Sequence, residues 1–298
     1  MANAIAGILS NYDAIFALGG KSLITILYTE GSAVPEVCDI YQLSANVRDL
    51  GRTYATKLAV AGDIRASLQE LLPHINAAAR GRESAYAALV QNAANKRGAQ
   101  RQALAAMARE EMDAPNITPL VAAHEAVRGI GPKVAIVDEA IATSSHVRKF
   151  LNSDSPYQYS FLRGGALGWG MPAAAGCSLG LGREPVVCLA GDGAAMYSPQ
   201  ALWTAAHEKL PVTFVVMNNR EYNVLKNFMK MQTDYASAKT NRFLAMEIES
   251  PAVDYVSLAA SMGVAARRVT RASDIAPSIE AGIASGEPNL IEVVIAAT

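Results

Sequence analysis

The chain has 298 residues, of which 51% are hydrophobic and 18% charged, and its formal net charge is −1. A chain of this length and apolar content can bury the cores of roughly two domains, at about 150 residues each, which excludes a disordered protein. The near-zero charge argues against a general nucleic-acid binder, because such a protein carries a basic excess or a basic stripe.

The first 76 residues predict part of an α/β domain. A short amphipathic helix at the N-terminus precedes strand candidates at 13–18, 37–43 and 57–63, and an amphipathic helix follows at 64–75. Strands that alternate with helices predict a parallel sheet. We therefore take residues 1–76 as a partial domain of this class.

Residues 77–116 differ from both flanking regions. They are polar, rich in Ala, Arg, Glu and Gln, and poor in strand-forming residues. We interpret them as one or two exposed helices that link two domains and end at Pro115.

Residues 117–298 predict a larger α/β unit, a parallel sheet flanked by helices and doubly wound. Thr143 or Ser144 is a candidate N-cap for one of its helices, and Ser198 for another that carries Pro199 in its first turn. Strands are predicted at 133–139, 185–193, 211–219, 266–270 and 289–296, and helices at 117–131, 143–151, 170–182, 198–210, 220–231, 254–263 and 273–285. The stretch 231–250 is less regular.

The cysteines and the apolar runs bear on the cellular location of the protein. Cys38, Cys177 and Cys188 have no CxxC spacing, so they predict neither a disulfide framework nor a zinc site. No apolar run reaches the roughly 18–20 residues of a membrane helix. The N-terminal apolar stretch has no positive leader, so it does not predict a secretory signal. We expect a cytoplasmic protein that binds neither membranes nor nucleic acid.

The motif with the strongest chemical content joins two successive strands. Gly191-Asp192-Gly193 ends one buried strand and Asn218-Asn219 ends the next, with residues 194–217 between them. In a parallel sheet both would lie at the carboxyl edge, where open α/β sheets bind ligands. Carboxylate and amide oxygens suit Mg²⁺, and the flanking glycines allow close approach of a phosphate. Singly each is also explained as a turn, but as a pair they predict a magnesium–diphosphate site.

This pair of motifs resembles the cofactor motif of thiamine diphosphate (ThDP)-dependent enzymes. The segments 161–172 and 197–206 resemble the benzoylformate decarboxylase group of that family. The resemblance covers residues 117–298 as the diphosphate-binding domain. It covers residues 1–76 more loosely, as the second half of the family's middle domain, a Rossmann-like α/β domain in which Gly62-Asp63 opens a helix.

The resemblance implies roles for individual residues. Asp192 and Asn219 would bind Mg²⁺ through their side chains, and Glu221 through its backbone carbonyl. Gly193 and Ala194 would donate backbone N–H groups to the diphosphate. The further cofactor contacts implied are Gly165, Leu167, Gly191, Thr143 and Ser144, the last two being equally well explained as a helix cap. Substrate-pocket positions, equally well explained as core, are Phe161, Tyr222, Leu225 and Phe228.

Two elements of the family's chemistry are not found in this sequence. The glutamate that hydrogen-bonds the pyrimidine ring lies, in the family, in an N-terminal pyrimidine-binding domain, and no stretch here resembles that domain. Benzoylformate decarboxylases also carry a histidine after the glycine turn of the middle domain. Residues 19–36 contain none, and Ile26 stands at the matching place. His146 is the histidine nearest the expected cofactor edge.

These observations give three related hypotheses and one unrelated one. The chain could be the C-terminal part of a ThDP- and Mg²⁺-dependent 2-oxo acid decarboxylase or lyase that needs a glutamate from elsewhere. It could be an acetolactate-synthase-like carboligase component, or a catalytically inactive ThDP-binding module from a truncated protein. A nicotinamide or flavin protein is disfavoured because Met196 stands where G-x-G-x-x-G requires its last glycine. We expect a homo-oligomer or a partner chain that supplies the pyrimidine domain.

Overall fold

The computed structural model describes residues 2–20, 31–151, 158–162 and 164–297. Ile26 lies outside these ranges. By its internal contacts the chain divides into two compact units, residues 1–93 and 94–298. The domain boundaries predicted from the sequence, 1–76, 77–116 and 117–298, stay predictions.

The first unit contains a small parallel sheet, as predicted. Its three strands pair in the order in which they follow one another along the chain, and Asp63 caps the helix after the third strand by accepting a hydrogen bond from the N–H of Ala66 at 2.8 Å. Val34, Cys38 and Ile40 form its small core. Its elements are α1 (Ala2–Leu9), β1 (Ala14–Leu18), β2 (Asp39–Ser44), a 3₁₀ turn (Val47–Asp49), β3 (Leu58–Ala61) and α2 (Ile64–Ala78).

The polar region between the predicted domains forms one long helix, α3 (Glu83–Glu110). Its side chains are exposed as far as residue 100, whereas Leu104, Ala105 and Ala108 pack into the core of the second unit, and the helix ends before Pro115. The helix is continuous, which is one of the two forms that the sequence left open; its role as a link between domains stays a prediction.

The second unit is built on a six-stranded, fully parallel sheet in the order β5-β4-β6-β7-β9-β8. Its strands are β4 (Ala135–Glu139), β5 (Tyr159–Phe161), β6 (Val186–Gly191), β7 (Val212–Asn218), β8 (Ala265–Val269) and β9 (Asn289–Val294). Its helices are α4 (Pro119–Ile130), α5 (Ile141–Phe150), α6 (Gly170–Gly180), α7 (Asp192–Ala195), α8 (Ala201–Glu208), α9 (Asn223–Met231), α10 (Ala236–Thr240), α11 (Tyr255–Ser261) and α12 (Ile275–Ala284).

Helices cover both faces of this sheet, so its central strands are buried on both sides. β7 is buried along its whole length, and only the last residue of β6 is partly exposed. This explains why both strands are continuous apolar runs without alternation. The register pairs Glu139 with Ala190 and Gly191 with Met217, so the carboxyl ends of β4, β6 and β7 lie side by side.

Two predicted helix caps are wrong. Helix α5 begins at Ile141, so Thr143 and Ser144 lie inside it. Asp138 instead accepts a hydrogen bond from the N–H of Ala140 at 2.9 Å, which satisfies the helix start from the preceding strand. Helix α8 begins at Ala201 without a side-chain cap, because residues 198–200 form a turn.

Among the described residues, no helix is both long and apolar enough to cross a membrane.

Candidate functional site

An open cavity lies at the carboxyl ends of β4, β6 and β7. This is the sheet edge at which the sequence predicts ligand binding. Its lining residues come from four segments of the second unit and from Ile295. They are Glu139, Ala140, Ile141, Ala142, Thr143, Leu167, Gly191, Asp192, Gly193, Ala194, Met217, Asn219, Glu221, Tyr222, Asn223, Val224 and Ile295.

Asp192 is the buried acidic group on the β6 side of this cavity. Its carboxylate accepts hydrogen bonds from the N–H of Gly193 at 2.8 Å and from the N–H of Arg220 at 2.6 Å. Burial raises the pKa of Asp192 to about 6, although these backbone hydrogen bonds oppose the shift. Within the described ranges no Lys, Arg or His side chain pairs with it. A cation bound at this carboxylate would therefore stabilise its charged form.

Asn219 and Glu221 lie across the cavity, in the turn after β7. Arg220 between them has a left-handed backbone with φ of 59°. The amide oxygen of Asn219 accepts a hydrogen bond from the N–H of Glu221 at 3.1 Å. The carboxylate of Glu221 is paired with the ammonium group of Lys226 at 2.5 Å, so its side chain is already engaged. This agrees with a role through the backbone carbonyl.

The three predicted metal-binding residues, Asp192, Asn219 and Glu221, therefore share one cavity. In the described part of the chain, no group of three His, Cys, Asp or Glu side chains could hold a metal ion. A cation here would rely on the mixed set of carboxylate, amide and carbonyl oxygens, which is the donor chemistry that Mg²⁺ prefers.

The predicted diphosphate contacts lie at the start of α7. Gly191, Gly193 and Ala194 all line the cavity. A side chain at Gly193 would meet the ring of Tyr222 at 2.7 Å, so the ring packs directly over this backbone. Only glycine permits that approach. In this structure the N–H of Gly193 itself donates to the carboxylate of Asp192.

Leu167 lies on a glycine-rich loop that reaches the cavity, as predicted, and 41% of its side chain is exposed. Gly168 has φ of 88°, and a Cβ there would lie 2.6 Å from Cβ of Tyr197. The loop can therefore pass this point only with glycine. Gly165 is exposed, with φ of 71°, and is not among the lining residues.

Glu139 is a lining residue that the sequence interpretation missed. Its fully buried carboxylate accepts hydrogen bonds from the N–H groups of Gly168 at 2.6 Å, Trp169 at 3.3 Å and Gly170 at 2.5 Å. It fixes the loop that carries Leu167 and places a negative charge at the N-terminus of α6, where the helix dipole favours it. An acidic residue at the end of the buried strand 133–139 was the available signal.

Thr143 lines the cavity, but Ser144 does not. The hydroxyl of Ser144 donates to Asp138 at 2.8 Å, and the hydroxyl of Tyr159 donates to the same carboxylate at 2.7 Å. Burial raises the pKa of Asp138, and these hydrogen bonds oppose the shift. This buried cluster ties β5 and α5 to the end of β4, and it therefore stabilises the strand end that carries Glu139.

The four predicted substrate-pocket residues do not lie together. Tyr222 lines the cavity, whereas Leu225 and Phe228 lie further along α9 and are not among the lining residues. The ring of Phe161 lies under the guanidinium group of Arg148, 4.7 Å from its centroid. The role of these residues in substrate binding stays a prediction.

Comparison with known families gives a match that includes this cavity. The profile of the family described as thiamine pyrophosphate enzyme, C-terminal TPP binding domain, matches residues 144–293. The matched region contains Asp192, Asn219 and Glu221, and it begins five residues after Glu139.

Curated relatives carry two kinds of name. A Mycobacterium tuberculosis (strain H37Rv) protein assigned as acetolactate synthase large subunit IlvX is 33% identical over 223 residues, or 74% of this chain and 42% of that protein. Benzoylformate decarboxylase of Pseudomonas aeruginosa (strain PAO1) is 26% identical over 294 residues, or 97% of this chain and 50% of that protein. The chain thus spans about half the length of these relatives.

Solved structures share the fold. The thiamine diphosphate-dependent 4-hydroxybenzoylformate decarboxylase of Rhodococcus jostii RHA1 matches with a TM-score of 0.74 at 23% identity, covering 96% of this chain and 49% of that one. Benzoylformate decarboxylase from Polynucleobacter necessarius matches with a TM-score of 0.75 at 21% identity, covering 96% and 50%.

Proposed function

Because the chain belongs to the family of thiamine pyrophosphate enzymes, we propose that it is the diphosphate-binding part of a ThDP- and Mg²⁺-dependent decarboxylase or lyase that acts on a 2-oxo acid. The observation that carries the proposal is the shared cavity of Asp192, Asn219 and Glu221 beside the α7 backbone. The similarity to benzoylformate decarboxylase over 97% of this chain supports the choice of reaction.

The residues present fit the cofactor. Asp192 and Asn219 would hold Mg²⁺ through side-chain oxygens, and Glu221 through its carbonyl oxygen. Ala194 would donate its N–H to the diphosphate, as would Gly193 once a metal takes the Asp192 carboxylate that now accepts its N–H. Leu167, exposed at the cavity, would contact the rings. When bound, thiamine diphosphate supplies a cationic ring that accepts the electrons released as CO₂ leaves a 2-oxo acid.

The proposal requires a further glutamate to activate the pyrimidine ring. The two glutamates that line the cavity already have partners: Glu139 binds backbone amides of the glycine-rich loop, and Glu221 pairs with Lys226. We therefore propose that the activating carboxylate belongs to neither Glu139 nor Glu221. It would come from a pyrimidine-binding domain supplied within an assembly, by a second copy of the protein or by a different chain.

Exposed apolar side chains support an assembly of this kind. Leu167 and Val224 at the cavity, and Met196, Tyr197 and Trp203 nearby in sequence, are each more than 40% exposed. Contiguous apolar surface is typical of a protein–protein interface, and we propose that these side chains take part in one. We further propose a reducing cytoplasmic location, since Cys38, Cys177 and Cys188 are free.

Calorimetry tests the cofactor site. The purified chain should bind thiamine diphosphate in the presence of Mg²⁺ and lose that binding in Asp192→Ala. Asp234→Ala, which removes an exposed carboxylate outside the cavity, is the matched control. Failure of the wild-type chain to bind Mg²⁺ and thiamine diphosphate together would refute the proposed site.

Product analysis tests the reaction. The chain, alone and mixed with a chain that carries a pyrimidine-binding domain, is incubated with benzoylformate or pyruvate. Aldehyde and CO₂ would support the decarboxylase. A carboligation product such as acetolactate would favour the second candidate, an acetolactate-synthase-like component, which the 33% identity to IlvX supports. Cofactor binding without turnover under every condition would favour an inactive module.

A further inference from the structure

We propose that Glu292, which lies outside the cavity, is a positioning residue that orients the turn bearing the metal-binding atoms. Glu292 lies on β9 and is 2% exposed. It acts through the buried side chain of Asn218, at the end of the neighbouring strand β7. The inference rests on the metal site of the proposed function and adds a residue to it.

The contacts form a continuous chain of hydrogen bonds. One carboxylate oxygen of Glu292 accepts from the amide nitrogen of Asn218 at 2.7 Å. The amide oxygen of Asn218 accepts from the N–H of Arg220 at 3.0 Å, and that same N–H donates to Asp192 at 2.6 Å. We call this series, Glu292–Asn218–Arg220–Asp192, the β9 relay.

Glu292 sets the direction of the Asn218 amide. An ionised carboxylate only accepts hydrogen bonds, so it faces the NH₂ group of Asn218 and not its oxygen. The oxygen must then point to the turn, where it meets the N–H of Arg220. Without an acceptor at Glu292, the side-chain amide of Asn218 is free to rotate. Its NH₂ group would then face the N–H of Arg220, and two donors would meet.

The charge of Glu292 is compensated on its other side. Its second oxygen accepts from Nε of Arg268 at 2.7 Å. Arg268 also reaches the exposed carboxylate of Asp254 at 3.0 Å. A buried carboxylate held between a guanidinium and an amide has both oxygens satisfied, so its position is fixed.

The relay matters because Arg220 stands between the two metal-binding positions of the turn. Its left-handed backbone, with φ of 59°, is unfavourable for a residue with a Cβ and needs support from its neighbours. Its N–H is held by Asp192 and Asn218, and its carbonyl accepts from the N–H of Ile248 at 2.7 Å. The relay thus fixes the backbone that presents Asn219 and Glu221 to the cavity.

The test compares three variants of the full chain. Glu292→Gln keeps the shape of the side chain but places an NH₂ group against either Asn218 or Arg268. Ile291→Val shortens a buried neighbour on the same strand without touching the relay. Asp254→Asn alters the far side of Arg268 and can still cap α11. Urea unfolding of each variant records the loss of stability separately from the site.

The first readout is Mn²⁺ affinity, measured by electron paramagnetic resonance with inorganic pyrophosphate present. Glu292→Gln should weaken binding at least about tenfold, as loss of a residue that supports a metal ligand does. Ile291→Val and Asp254→Asn should stay within about twofold of wild type. Asn218→Ala removes the relay whichever way the introduced glutamine side chain turns, so wild-type affinity in both Glu292→Gln and Asn218→Ala would overturn the inference.

The second readout needs no metal. Hydrogen exchange of the Arg220 amide should be faster in Glu292→Gln than in Ile291→Val at matched stability. If Glu292→Gln does not fold, Asn218→Ala gives the same test from the other end of the contact. A wild-type chain that binds no Mn²⁺ would refute the proposed metal site, whereas unchanged exchange at Arg220 would refute the relay itself.

Discussion

Replacing Gly170 by alanine tests the contact between Glu139 and the glycine-rich loop. A Cβ at Gly170 would lie 2.8 Å from both Cβ and Oε2 of Glu139, closer than real Cβ contacts. Glu139 is fully buried at the end of β4, so its Cβ cannot move aside. Oε2 of Glu139 would have to leave the N–H of Gly170.

The magnitude follows from two effects. Overpacking a buried site costs about 1–3 kcal/mol. Weakening one hydrogen bond to a charged group costs about 1.5–3 kcal/mol. We expect Gly170→Ala to lower the free energy of unfolding by about 3–5 kcal/mol. Gly176 in the same helix is the matched control, because nothing lies within 4 Å of its Cβ position. Gly176→Ala should raise stability by about 0.5–1 kcal/mol.

Urea unfolding followed by tryptophan fluorescence makes the comparison, since both tryptophans, Trp169 and Trp203, lie in the second unit. The transition therefore reports the unit that contains the mutation. If Gly170→Ala proves as stable as Gly176→Ala, Glu139 does not hold the glycine-rich loop through the contacts described above.

Three further predictions concern single side chains. Burial lowers the pKa of His146, so the unfolded chain binds the proton more tightly and the free energy of unfolding falls as pH drops below about 6.5. In His146→Asn the fall in the free energy of unfolding between about pH 7.5 and 5 should be smaller than in wild type, and an equal fall would contradict this. The hydroxyl of Tyr255 donates to the carbonyl of Asp192 at 2.8 Å, so Tyr255→Phe should cost about 1–2 kcal/mol in urea unfolding, whereas Tyr235→Phe, at an exposed site, should be neutral. Leu167→Ala should leave stability unchanged and weaken thiamine diphosphate binding about five- to tenfold by calorimetry, because the cofactor would cover only the exposed part, 41%, of the side chain whose three carbons are removed; unchanged affinity would exclude its supporting role.

The sequence predicted the parts of the site that depend on local pattern. Continuous apolar runs identified β6 and β7 as central parallel strands, and the polar residues at their ends followed directly. Asp192 and Asn219 could therefore be placed at one sheet edge from the strand pattern alone. The cavity brings both side chains together, as that reasoning requires.

The missed residues depend on contacts between distant parts of the chain. Glu139 binds amides 29 to 31 residues away, and Glu292 binds Asn218 across 74 residues. A single sequence gives no direct sign of such pairs. The predicted cap at Ser144 was wrong for a related reason. Asp138, six residues earlier, accepts the hydrogen bond at the start of the helix, and the hydroxyl of Ser144, inside the helix, donates to that same carboxylate.

The order of strands in the sheet has a consequence for synthesis of the protein. β9 is the last strand along the described chain, yet it lies between β7 and β8. During translation, β8 therefore cannot pair with a neighbouring strand until residues 289–294 have left the ribosome. Until then the amide NH₂ of Asn218 also lacks the carboxylate of Glu292 as its hydrogen-bond acceptor. Since long-range parallel pairing is slow to form, the turn at Arg220 should be among the last parts of this unit to become ordered. A nascent chain stalled before β9 would carry every residue of the metal motif and still lack the hydrogen bond from Asn218 to Glu292 that orders the turn.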